Sequence, residues 1–167
     1  MVIFSLLYGI ISYTFNYYGE MITYLGMTMP MAVFALVSWL RNPYQGNKAE
    51  VKVNAVSTKE SILMWFADAV ITGIFYLILA YFDTANIIPS TISVMTSFVA
   101  VYLTFRRSPY FAVAYAANDI VLIVLWALAC ASDIRYLSVV VCFIAFLFND
   151  AYGFISWQKM KARQMSE

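Results

Sequence analysis

The chain has 167 residues, of which 63% are apolar and 18% aromatic, while only 11% are charged and none is histidine. A soluble domain carries about 25% charged residues, so this composition excludes a water-soluble fold and demands a lipid bilayer as partner. The net charge of +1, with the basic residues in separate short stretches, leaves no continuous stripe for nucleic acid.

A hydrocarbon core about 30 Å thick takes roughly 20 helical residues to cross. Six apolar stretches approach that length: Val2–Tyr17, Met21–Leu40, Ser61–Phe82, Ile88–Phe105, Pro109–Cys130 and Tyr136–Trp157. The first follows Met1 without the Lys or Arg that opens a secretory signal, and is read as a transmembrane helix. The second carries Pro30 mid-span, which predicts a kink. Residues 41–60 read as a cytoplasmic loop. Asp68, in the third segment, is placed nearer a helix end. Pro89 fits the first turn of the fourth segment, and Ser108 with Pro109 reads as an N-cap and first-turn proline for the fifth. Cys130 and Cys142 lie in apolar runs and read as packing residues, with no disulfide or metal role. The expected fold is all-α, a polytopic bundle of six transmembrane helices forming one membrane domain over residues 1–167.

If the segments cross alternately, nine of the ten Lys and Arg fall on one side and only Arg135 on the other. The positive-inside rule makes the crowded side cytoplasmic, with both chain ends there, in a multi-pass protein of the cell membrane. The second and sixth segments also end alike, Phe34-Ala-Leu-Val-Ser-Trp-Leu-Arg41 against Tyr152-Gly-Phe-Ile-Ser-Trp-Gln-Lys159. Both run in the same direction, as in parallel repeats about an axis along the membrane normal.

A central charged residue costs about 2.5–3.5 kcal/mol to insert, so it needs a partner or a wet cavity. Asp119 lies near the middle of the fifth segment, with Tyr115 and Trp126 four before and seven after it on nearly the same face. In the sixth, Asn149, Tyr152, Gly153 and Ser156 share a face, with Asp150 beside them. These two faces are the candidate lining of a central pathway; the plainer reading is interhelical hydrogen bonding. Trp157 reads as an interfacial anchor, and Trp39 and Trp65 as belt or packing. No Lys, Arg or His lies inside any segment. Such an interior suits a cation held by carboxylates and aromatic faces. There is no P-loop, no histidine triad and no metal-ligand cluster, so neither cofactor nor metal is expected. An enzyme of paired aspartates would need the two acids within hydrogen-bonding reach across facing helices.

The run from Phe105-Arg-Arg-Ser-Pro-Tyr through Asn118-Asp119 to Trp126, followed by Phe148-Asn-Asp-Ala-Tyr-Gly-Phe-Ile-Ser-Trp157, resembles the last two helices of the PnuC family of nicotinamide riboside transporters. Tyr18-Gly19-Glu20-Met21 and Trp39-Leu-Arg-Asn-Pro43 resemble that family's turn into, and exit from, its third helix. The resemblance implies a seven-helix, SWEET-like architecture of two three-helix bundles joined by a linker helix, assembled as a homotrimer. On that pattern residues 1–40 are a partial first bundle, 61–82 the linker and 88–158 the second bundle, and the family's first helix has no counterpart. Ala32 and Leu36 stand nearest to where the family carries a Gln and paired Trp. The function implied is facilitated diffusion of nicotinamide riboside with alternating access, made one-way by cytoplasmic phosphorylation. Asp119 and aromatic walls Tyr115, Trp126 and Tyr152 would hold the pyridinium. Asn118, Asn149 and the tyrosines would pair with the carboxamide and ribose, with Asp150 alongside. Uniport or proton-coupled transport of another cationic vitamin such as thiamine, or a non-transporting membrane fragment, are the alternatives.

Overall fold

The computed structural model describes residues 1–15, 17–84 and 86–166; the side chain of Lys48, one of the basic residues counted above, lies outside the described atoms. Six helices carry the fold: α1 Val2–Thr14, α2 Tyr18–Leu40, α3 Thr58–Tyr81, α4 Ile87–Phe105, α5 Phe111–Cys130 and α6 Leu137–Ser166. Five are long and apolar enough to cross a bilayer. The sixth, α1, is a shorter apolar helix whose 13 residues reach about 20 Å.

The helix limits have local causes. Ser57 caps α3, its side chain accepting from the Glu60 backbone N–H at 3.3 Å. The Glu60 carboxylate does not complete a capping box; it accepts from Arg106 Nη2 at 2.9 Å and Tyr102 OH at 3.1 Å, tying the start of α3 to the end of α4. Helix α5 begins at Phe111, two residues later than Ser108 and Pro109 suggested, because a turn closes first through Phe111 N–H to Ser108 C=O. Pro89 sits in the first turn of α4 as expected. The disturbance expected at Pro30 takes the form of a π-helical stretch, Thr23–Thr28, just upstream. A proline has no N–H to donate and crowds the carbonyl four residues back. The wider turn relieves that crowding, and Thr28 Oγ1 donates to the Thr23 carbonyl at 3.3 Å.

Residues 41–60 are more ordered than a loop. Strands β1 Pro43–Tyr44 and β2 Asn47–Val51 pair antiparallel around Gln45 and Gly46. Both turn residues have positive φ, 46° and 80°, the geometry of a tight two-residue hairpin turn. Helix α6 runs past the expected end at Trp157 to Ser166, and this extension meets the hairpin. Gln164 accepts from Val53 N–H at 2.9 Å and donates to Glu50 Oε1 at 2.9 Å, while Arg163 ion-pairs with Glu50.

Helix α5 packs along α4 and α6, α4 also meets α2 and α3, and α1 lies on α2. Gly9 permits a close approach of α1 to α2: a Cβ there would stand 2.5 Å from Leu25 Cγ. Asp68 is near the midpoint of the 24-residue α3, not near an end; it is buried and accepts from Thr72 Oγ1 at 3.3 Å. Large apolar side chains such as Phe66, Leu77, Ile120 and Phe148 point outward, as a lipid-facing surface requires.

Candidate functional site

Between the helices lies a cavity of about 250 Å³. Helix α5 contributes Tyr115, Asn118 and Asp119, and α6 contributes Phe146, Asn149 and Asp150. Helix α2 adds Tyr24 and Thr28, α4 adds Ser97, and α1 closes one wall with Phe4. None of these lining side chains is basic.

Asn118 is the strut of the wall. Its Oδ1 accepts from Thr96 Oγ1 at 2.8 Å and Ser97 Oγ at 3.0 Å, and its Nδ2 donates to Tyr24 OH at 2.9 Å. One amide therefore holds α2, α4 and α5 in register, and much of its hydrogen-bonding capacity is used by the protein itself. Asp119, one residue on, is different: it is 5% exposed and its Oδ2 has no partner. It faces Asp150 of α6 closely enough to interact, with Asn149 beside that acid. Tyr115 lies one turn below Asp119, its hydroxyl accepting from Thr104 Oγ1 at 3.3 Å. A buried acceptor left unmet is costly, and Asp119 Oδ2 retains the capacity to accept a further hydrogen bond.

Five of the seven residues singled out in the sequence, Tyr115, Asn118, Asp119, Asn149 and Asp150, meet at this cavity. Trp126 and Tyr152 do not line it. Trp126 is fully buried two turns further along α5, where its Nε1 donates to Tyr8 OH at 2.6 Å and its ring packs on Tyr17 with centroids 4.6 Å apart. Tyr152 is 72% exposed on the outside of α6. The inward face of α6 runs Phe143, Phe146, Asp150 and Trp157, in steps of three, four and seven, and Tyr152 falls off it. Trp157 is more than an interfacial anchor: it packs on Trp39 at 5.2 Å and Phe111 at 4.9 Å. The two Ser-Trp endings noted above thus meet at one end of the bundle. Tyr24, Thr28 and Ser97 were not singled out, although Tyr24 and Thr28 are polar groups spaced four apart in an apolar span.

A polytopic helix bundle enclosing a polar, aromatic-lined chamber among its helices is the architecture of a small-molecule membrane transporter. The comparisons place the chain within one such group. A family model described as nicotinamide mononucleotide transporter matches residues 1–159, and the chain belongs to that family. The nicotinamide riboside transporter PnuC of Neisseria mucosa is 28% identical over 165 residues, which are 96% of this chain and 63% of the relative. The chain therefore spans less than two thirds of that relative's length. A crystal structure of the vitamin B3 transporter PnuC superposes with a TM-score of 0.80 at 28% identity, covering 98% of this chain and 71% of the other. Asp119 and Asp150 stand on facing helices at one cavity, but the family is one of transporters and the chain is not an enzyme.

Proposed function

We propose that this chain carries nicotinamide riboside across the membrane by facilitated diffusion, alternately exposing the cavity to the two sides. The observation that carries the reading is the pair Asp119 and Asp150 on a cavity with no basic side chain in its lining. The pyridinium of the riboside is a cation; Asp119 Oδ2 is free to meet it, and Tyr24, Tyr115, Phe4 and Phe146 supply π faces. Asn149 and Asp150, which also line the cavity, would accept from ribose hydroxyls and the carboxamide. A mononucleotide would bring a phosphate to two carboxylates with no basic side chain to meet it, and the cavity of about 250 Å³ lies just below the roughly 300–1,000 Å³ typical of ligand sites. The basic face, bearing Arg106, Lys159, Lys161 and Arg163, is then cytoplasmic, and the family resemblance supports a homotrimer with one path per protomer.

The test is binding by the purified protein. Nicotinamide riboside is expected to bind at least about tenfold more tightly than the mononucleotide, with thiamine as the cationic control. Asp119→Asn should weaken riboside binding about 10- to 100-fold, the loss of one charge-assisted contact of about 1.5–3 kcal/mol. Equal affinity for the mononucleotide, or unchanged binding by Asp119→Asn, overturns the reading. The closeness of Asp119 to Asp150 favours a second reading, in which the pair passes a proton with each substrate. That reading requires uptake driven by a pH gradient in vesicles; the uniport reading requires none.

A further inference from the structure

Glu20 is fully buried near the start of α2, and the cavity does not account for it. Its Oε2 accepts two long hydrogen bonds, from Tyr8 OH at 3.5 Å and Ser93 Oγ at 3.4 Å, and its Oε1 has no partner. Ser90, one turn from Ser93 on α4, and Ser12, one turn from Tyr8 on α1, are also fully buried with unpartnered hydroxyls. Native interiors rarely leave so many polar atoms unmet in one place.

These residues continue the cavity's own walls. On α2, Thr28 and Tyr24 face the cavity and Glu20 follows one turn further out. On α4, Ser97 faces the cavity, and Ser93 and then Ser90 follow at helical spacing. The column is roofed by the hydrogen bond of Trp126 to Tyr8 and by the ring of Tyr17. Resting on the transport reading above, we propose that Glu20, Ser90 and Ser93 line the outer half of the path, a second station for a cationic nucleoside that is shut in this conformation by the Tyr8–Trp126 contact. Once the roof opens, water or substrate satisfies the orphaned oxygens, with Glu20 meeting the positive ring and the serines the sugar hydroxyls. The single carboxylate sets the charge of what passes.

The test uses the full chain in right-side-out vesicles, with Cys130→Ser and Cys142→Ser to remove the native thiols and Ser90→Cys as probe. Impermeant cationic and anionic methanethiosulfonates are applied to the outer face, and their rates are normalised to those with a free thiol in solution. The normalised cationic rate is expected to exceed the anionic one by about tenfold, as a focused negative potential gives. Adding Glu20→Gln should bring the ratio to within about threefold of unity. Ser93→Cys is the second probe if Ser90→Cys misfolds. No labelling at either position, or a ratio that Glu20→Gln leaves unchanged, overturns the proposal. The measurement is independent of the carried solute: absent riboside binding with outside labelling sinks the substrate reading alone, and intact binding without labelling sinks the outer station alone.

Discussion

The two ends of the bundle are closed by different physics. At the end bearing Arg135, Phe15, Tyr17, Trp126 and Tyr136 pack ring against ring, with Trp126 fully buried and hydrogen-bonded to Tyr8. At the basic end, Trp39, Phe111 and Trp157 meet while remaining partly exposed, and the closure is completed by a hairpin strapped to α6 through Glu50, Arg163 and Gln164. Buried rings and a hydrogen bond in a dry setting resist separation strongly. Exposed ion pairs resist it weakly, because water and salt compete for both partners. The difference teaches that separating the helices costs more at the aromatic end; on the alternating-access reading proposed above, this favours the state in which the aromatic end is shut.

The largest effect that would test this contrast is Trp126→Ala. It removes a buried indole and the partner of Tyr8 together, and is expected to cost about 3–5 kcal/mol, read as a lowered midpoint of thermal unfolding in detergent. Trp39→Ala at the basic end should cost clearly less, although its Nε1 donates to Thr104 C=O at 2.7 Å, because that ring is only partly buried. Equal losses would erase the contrast. Tyr8→Phe is a finer cut, keeping the ring but leaving Trp126 Nε1 and Glu20 Oε2 each short of a partner. A loss of about 1–3 kcal/mol is expected; no loss would mean that packing alone shuts this end.

Much of this was legible in the sequence, and the gaps have physical causes. Long apolar runs set the helices, and Asp119 and Asp150 announced the cavity because an acid in a bilayer needs an explanation. Trp126 shares Asp119's helical face, yet two turns carry it about 10 Å along the axis and out of the cavity. Tyr152 was misplaced by grouping it with Asn149: Asn149 reaches the cavity beside Phe146 and Asp150, while Tyr152, three residues on, falls outside the line of Phe146, Asp150 and Trp157. Glu20 entered the sequence analysis only within a resemblance because it stands one residue before an apolar run; Tyr8 of α1 and Ser93 of α4 close over it in the fold. The hairpin was read as loop because its strands are short and one contains Asn, Lys and Glu, and what holds them, Gln164, lies more than a hundred residues away in sequence.

The smallest expected effect lies in that hairpin. The hydrogen bond from Gln164, and then the neighbouring Arg163, hold the Glu50 carboxyl below the usual carboxylate range. A folded-state value below the unfolded one, near 4.3 for Glu, contributes stability that is complete above the unfolded value. That contribution is lost as the pH falls through the folded one. The unfolding midpoint of the native protein should therefore exceed that of Glu50→Gln by a constant small margin between pH 6 and 8, and the margin should close on acidification below about pH 4. Glu50→Gln keeps an acceptor for Gln164, so what it removes is the charge. Salt near 1 M, where the screening length is about 3 Å, should shrink the same margin at neutral pH while leaving the Trp126→Ala loss untouched. A margin at Glu50 that survives both acid and salt would mean that the strap is held by packing, and that the basic end is closed by the same means as the aromatic one.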